Sequence, residues 1–135
     1  MARTSIVIID AKSAAFTVRI ALEQRYDIAA SHAYDTTAGL EMVHNAKPDY
    51  VLVNPSNLGA ELTDFLAQLS ENTPVIVIGD ENVANDLRSV YAGVKGYVPP
   101  TYTENDLLPL IRPRRLAQAG RVGSRALAER SALLQ

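Results

Sequence analysis

Near the N-terminus stands the segment SIVIID, residues 5–10, in which four consecutive β-branched residues precede a carboxylate. A short, continuous β-branched run is typical of a strand that is covered on both faces in a parallel sheet. Similar runs recur at residues 50–53 and 75–78, and weaker ones at 27–31 and 96–98. The sequence therefore predicts five strands.

Helical patterns separate these strands. Apolar side chains recur at helical spacing in four segments, residues 13–25, 35–46, 60–70 and 82–92. Phe16 and Val90 belong to these apolar stripes, which are expected to face the core. Regular alternation of strand and helix predicts right-handed crossovers and a doubly wound parallel sheet with helices on both faces.

The segment after the fifth strand is less regular. Thr103 followed by Asp106 is typical of the start of a helix with an acidic first turn. Pro109 and Pro113 then fall where a long helix would need backbone donors. We expect a short fifth helix, followed by a break or kink.

Composition indicates a single folded domain. The chain has 135 residues, of which 47% are hydrophobic and 21% charged, values typical of a globular protein rather than a disordered one. It contains no cysteine, which excludes disulfides, thiolate nucleophiles and cysteine-based metal sites and agrees with a reducing compartment. The first apolar run is too short for a signal peptide or a membrane span, so we expect a cytoplasmic protein without membrane contact.

Charge divides the chain into two parts. Residues 1–110 carry 14 acidic and 7 basic side chains, whereas residues 111–135 carry six arginines against Glu129 alone. We therefore predict one domain over residues 1–112 and an arginine-rich helical tail or linker over residues 113–135. Because no aromatic side chains lie between these arginines, a solvated linker is favoured over direct nucleic-acid binding by the tail.

Ligands of open parallel sheets bind at the carboxyl ends of the strands. In this chain those ends hold Asp10-Ala11, Asn54, Gly79 and Pro100. Their order and spacing, over roughly residues 4–112, resemble the CheY-like receiver domains of bacterial response regulators. The resemblance implies a flavodoxin-like sheet with strand order 2-1-3-4-5.

Framework residues strengthen the resemblance. Pro48-Asp49 precedes the third strand, Gly59 lies in the loop after it, and Pro74 precedes the fourth strand. The segment GVKGYVP, residues 93–99, is similar to the Gly-Tyr-Leu-Pro-Lys segment of receivers that are attached to LuxR-type DNA-binding domains.

The groups that perform phosphotransfer in that family are mostly missing. The family has an acidic pair after strand one, an acceptor aspartate after strand three, a hydroxyl residue after strand four and a lysine after strand five. Here Asp10 is retained, but the other positions match Ala11, Asn54, Gly79 and Pro100. The resemblance thus implies a degenerate phosphorylation pocket.

The physical consequences are direct. An amide is a poor nucleophile and cannot form the acyl phosphate that a carboxylate forms. Mg²⁺ prefers charged oxygen ligands, and two of the family's three carboxylates are absent. We therefore expect no enzyme activity, no catalytic residue, no bound metal and no cofactor.

Simpler interpretations of single residues stay open. Asp10 can be a solvated or helix-capping carboxylate, and Asn54 a turn residue that bonds nearby backbone rather than a mimic of an aspartate. His32 and His44 lie on separate elements, so both are interpreted as surface histidines rather than parts of a metal site or a catalytic triad.

We predict a non-phosphorylatable, receiver-like signalling domain of a two-component-type pathway that acts by binding a protein partner or by dimerisation. The contact is expected on the fourth helix, fifth strand and fifth helix, through Leu87, Tyr91, Tyr97, Tyr102, Leu107 and Leu110. One alternative is the N-terminal regulatory domain of a DNA-binding regulator, with DNA bound only by a further domain. Another is a small-molecule or nucleotide sensor that uses the vacated pocket or the arginine-rich tail.

Overall fold

The computed structural model describes residues 4–10, 14–58, 61–69 and 73–112. The predicted tail, residues 113–135, lies outside the described residues, as does Ala11. The elements in chain order are β1 (Thr4–Ile9), α1 (Ala14–Arg25), β2 (Ile28–Ala33), α2 (Thr36–Ala46), β3 (Tyr50–Val53), α3 (Pro55–Leu58), α4 (Glu61–Ala67), β4 (Val75–Ile78), α5 (Glu81–Arg88), β5 (Val94–Val98) and α6 (Glu104–Ile111).

The five strands form one parallel sheet in the order β2-β1-β3-β4-β5, as the resemblance to receiver domains implied. The four-residue helix α3 comes before the predicted third helix. The predicted fourth and fifth helices are therefore α5 and α6.

Side chains that alternate along the strands build a core on each face of the sheet. Val7 and Ile9 of β1 pack with residues of α2, α4 and α5, whereas Ile6 and Ile8 pack with residues of α1 and α6. This arrangement confirms the predicted helices on both faces and explains the β-branched runs of β1, β3 and β4, since these three inner strands are covered on both sides.

Two residues of the predicted apolar stripes lie outside the core. Phe16, near the start of α1, is exposed, and Val90 is exposed because α5 ends at Arg88, two residues before it. The predicted short fifth helix is confirmed, but it includes Pro109 instead of breaking there. It ends at Ile111, and Arg112 follows with φ 45° and donates its N–H to the Leu108 carbonyl.

Among the described residues, no helix combines the length and the apolar character that crossing a membrane requires.

Candidate functional site

Asp10 and Asn54 meet at the carboxyl edge of the sheet because their strands are neighbours. β1 pairs with β3 in a register that sets Ile9 opposite Val53, so the next residue of each strand is its polar one. The Asn54 N–H donates to the Ile9 carbonyl at 3.0 Å, which continues the ladder to the end of the strand. The two side chains are thereby placed side by side.

The Asp10 carboxylate is buried, with 1% of the residue exposed. Its Oδ1 accepts a hydrogen bond from Asn54 Nδ2 at 3.0 Å. The interpretation of Asp10 as a solvated carboxylate is therefore wrong, because the residue is almost fully buried and a side-chain amide donates to it. Burial of a carboxylate is costly without such donors.

Asn54 uses both ends of its amide. Its Oδ1 accepts from the Ser56 N–H at 3.2 Å and from the Ser56 hydroxyl at 2.7 Å, which confirms the expected turn role. Its Nδ2 donates to Asp10, a contact that the turn interpretation did not include. Position 54 thus presents a donor, not a nucleophile, to the centre of the site.

Tyr102 completes the site, although the sequence predicted it to lie on the contact surface. Its hydroxyl donates to Asp10 Oδ2 at 3.1 Å, and its side chain is buried. Burial, the neighbouring Asp10 charge and the hydrogen bond to Asp10 all raise the pKa of the Tyr102 hydroxyl above its usual range. The residue therefore acts as a neutral donor. Its place, two residues after Pro100, was the one signal in the sequence that could have indicated it.

Gly79 and Pro100 bring no polar side chain to this edge. The Gly79 N–H donates to the Val98 carbonyl at 2.8 Å, so it serves the sheet. Asp80, the next residue, caps α5 by accepting from the Val83 N–H at 2.9 Å. Pro100 lies exposed in the turn before α6.

The predicted contact surface needs correction at three of its six residues. Tyr91, after the end of α5, Tyr102, in the turn before α6, and Leu107, on α6, are buried within the chain as members of its two core clusters. The Tyr91 hydroxyl donates to the Thr73 carbonyl at 2.6 Å. The other three residues remain at least partly exposed, and we call them the contact face: Leu87, Tyr97 and Leu110.

The two histidines lie on separate elements, as expected. His44 is exposed on α2, whereas His32 is only partly exposed on β2, between Arg19 and Tyr34. Within the described ranges, no three His, Cys, Asp or Glu side chains are grouped so that they could hold a metal ion.

No protein-family model matches the sequence, and no curated protein matches it significantly. Solved structures do match. The chemotaxis response regulator CheY4 of Vibrio cholerae is 15% identical, with 82% of this chain and 98% of that chain covered and a TM-score of 0.69. A response regulator protein from Burkholderia multivorans is 26% identical, with 83% and 94% covered and a TM-score of 0.59.

A third match is a response regulator receiver modulated diguanylate cyclase from Pelobacter carbinolicus. It is 22% identical, with 81% of this chain and 89% of that chain covered and a TM-score of 0.62. Strand order, helix placement and these similarities agree. The chain therefore has the CheY-like fold of response-regulator receiver domains.

Proposed function

We propose that this chain is a phosphorylation-independent signalling domain that acts by contact with a cytoplasmic protein or with a second copy of itself. The observation that carries the proposal is the hydrogen bond from Asn54 Nδ2 to Asp10 Oδ1 at 3.0 Å. At the position where the resemblance implies a phosphoryl acceptor, the side chain donates into a buried carboxylate.

This geometry opposes phosphoryl transfer. The lone pair of the Asn54 amide nitrogen is delocalised into the carbonyl group, and the nitrogen donates a hydrogen bond to Asp10. An amide cannot form the acyl phosphate that a carboxylate forms. The remaining oxygen, Oδ1, accepts two hydrogen bonds from Ser56. Position 54 therefore offers no free nucleophile.

The geometry also opposes a magnesium site. Each Asp10 oxygen accepts a hydrogen bond from a neutral donor, Asn54 on one side and Tyr102 on the other. A divalent cation would have to replace both donors and would gain only one carboxylate ligand. Such a cation prefers several hard, charged oxygen ligands.

A site without a ligand that distinguishes two conformations cannot shift a population between them. Signalling would then depend on a surface that is always presented. Tyr97, which is 45% exposed on the edge strand β5, is the largest apolar group of the contact face. Aromatic side chains in such positions are frequent anchors of protein interfaces.

The proposal is tested by intact-mass measurement after incubation with acetyl phosphate or phosphoramidate and Mg²⁺. We expect no phosphoryl adduct on the wild-type chain. A hydroxylamine-labile adduct would contradict the proposal, because it would show an acyl phosphate.

The Asn54→Asp variant extends this test. We expect it to stay unphosphorylated, because the new carboxylate would lie beside Asp10 while positions 79 and 100 still lack a hydroxyl and an ammonium group. Phosphorylation of this variant would show that the acceptor carboxylate alone is sufficient in this fold.

A second candidate is a regulatory domain that is fused to an output domain. The similar receiver from Pelobacter carbinolicus modulates a diguanylate cyclase, which shows the fold in that arrangement. For this chain the expected output is a DNA-binding domain, as in LuxR-type regulators. The genomic sequence downstream of codon 135 tests it, since a helix-turn-helix domain in frame would support it.

A further inference from the structure

Tyr102 joins two parts of the domain that are far apart along the chain. Its hydroxyl donates to Asp10 Oδ2 at 3.1 Å, across a separation of 92 residues. Both residues are buried, and the tyrosine ring packs in the same core cluster as Val98 and Leu107. A hydrogen bond to a buried charged acceptor is among the stronger ones in proteins, because the acceptor has lost its hydration.

The tyrosine stands at the connection between β5 and α6. Its backbone N–H donates to the Pro99 carbonyl at 2.9 Å, which closes the turn after β5. The next residue, Thr103, is the N-cap of α6, and its N–H donates to the Asp106 carboxylate at 2.9 Å. The side-chain bond to Asp10 therefore fixes the first turn of α6 relative to the end of β1.

The contact face lies on both sides of this connection. Tyr97 precedes it on β5 and Leu110 follows it on α6. The two elements also touch directly, since a Cβ built on Gly96 would lie 3.1 Å from the end of the Leu110 side chain. A shift of residues 99–103 would change the relative position of both sides.

We infer that the Tyr102 hydroxyl is an internal lock, which holds residues 99–103 against Asp10 and keeps the contact face in one arrangement. In the family that the sequence resembles, a lysine after strand five stands at the position matched by Pro100. In this chain a neutral donor two residues further along, the Tyr102 hydroxyl, forms a hydrogen bond with Asp10. The consequence for signalling rests on the proposed function, since a phosphorylation-independent domain would present its contact face in one constant arrangement.

Amide hydrogen exchange on the whole chain tests the lock. In Tyr102→Phe, which keeps the ring and removes the donor, amide exchange over residues 101–106 should rise by at least about tenfold, while β1 and β3 keep their protection. Tyr97→Phe is the matched control, because it removes a tyrosine hydroxyl from the exposed edge strand and should leave exchange unchanged.

Asp10→Asn tests the same contact from the acceptor. It replaces the charged acceptor by a neutral amide, so exchange over residues 101–106 should increase, and the double variant with Tyr102→Phe should exchange no faster there than Tyr102→Phe alone. If Asp10→Asn does not fold, the comparison of Tyr102→Phe with Tyr97→Phe decides the question.

Unchanged exchange over residues 101–106 in Tyr102→Phe would overturn the lock. A uniform rise over the whole sheet would overturn it as well, because it would show a merely structural role. Exchange requires neither a phosphoryl donor nor a partner. Phosphorylation of the wild type would therefore refute the proposed function and leave the lock standing.

Discussion

At the scale of single residues, Arg19 determines the tautomer of His32. The guanidinium Nη1 lies 3.3 Å from His32 Nδ1, and a guanidinium can only donate, so Nδ1 accepts and Nε2 carries the hydrogen. Nε2 then donates to the Tyr34 hydroxyl at 3.1 Å. Partial burial, and secondarily the positive charge of Arg19, lower the pKa of His32 below 6.5.

This arrangement predicts a pH dependence of stability. The folded state binds a proton at His32 less readily than the unfolded state, so its contribution is fully present above about pH 6.5 and is lost as the pH falls below that value. We expect the urea midpoint of the wild type to fall between about pH 7.5 and pH 5, and His32→Asn to reduce that fall.

The control for this measurement is His44→Asn. His44 is exposed on α2, and its removal should leave the wild-type difference between the two pH values unchanged. An equal fall of the midpoint in the wild type and in His32→Asn would show that other groups cause the pH dependence.

At the scale of elements, the start of β5 depends on the absence of a side chain at Gly93. Its carbonyl accepts from the Val75 N–H at 2.9 Å, which aligns β5 with β4. A Cβ at this position would lie 2.8 Å from the Thr73 carbonyl oxygen and would also meet the Tyr91 ring. The backbone there cannot make room without moving the segment that leads into the start of β4.

Gly93→Ala should therefore lower the free energy of unfolding by about 1–3 kcal/mol, the usual cost of overpacking a close-packed site. Urea denaturation monitored by circular dichroism measures it. Gly79→Ala is the matched control, because a Cβ there meets Val83 at an ordinary 3.4 Å, and a change within about 0.5 kcal/mol is expected. Equal stability of the two variants would contradict this account of β5.

At the scale of the whole molecule, an exposed tyrosine lies on or next to each of the two edge strands. Tyr97 lies on β5 and is 45% exposed, whereas Tyr34 follows β2 at the opposite edge and is 51% exposed. This symmetry provides a matched pair for locating the interface. Leu107, another of the predicted contact residues, is not a suitable position for testing the interface. It is fully buried, so a charged substitution there would unfold the domain.

We expect Tyr97→Ala to weaken self-association or partner binding by at least about 30-fold, since a central aromatic anchor commonly contributes about 2 kcal/mol or more. Tyr34→Ala should have little effect. Light scattering gives the mass, and calorimetry gives the affinity for a partner. If Asn54→Ala alone changes association, the pocket rather than the contact face is the binding site.

The placement of Asp10 beside Asn54 could be predicted from local patterns, because the carboxyl ends of neighbouring parallel strands meet at one edge. Their hydrogen bonds could not be predicted in the same way. One of the donors to Asp10 is Tyr102, and no periodicity connects residues 92 positions apart in the sequence.

The sequence by itself determined the five strands and the helices on both faces, since β-branched runs and helical spacing are local properties. Only the tertiary structure decided which apolar residues remain outside. Tyr91 and Leu107 are buried while Tyr97 is exposed, although all three are apolar residues near one edge of the sheet. The physical reason is that a side chain is buried only where other elements cover its side of the helix or strand. Packing between segments that are distant in the sequence determines which side is covered.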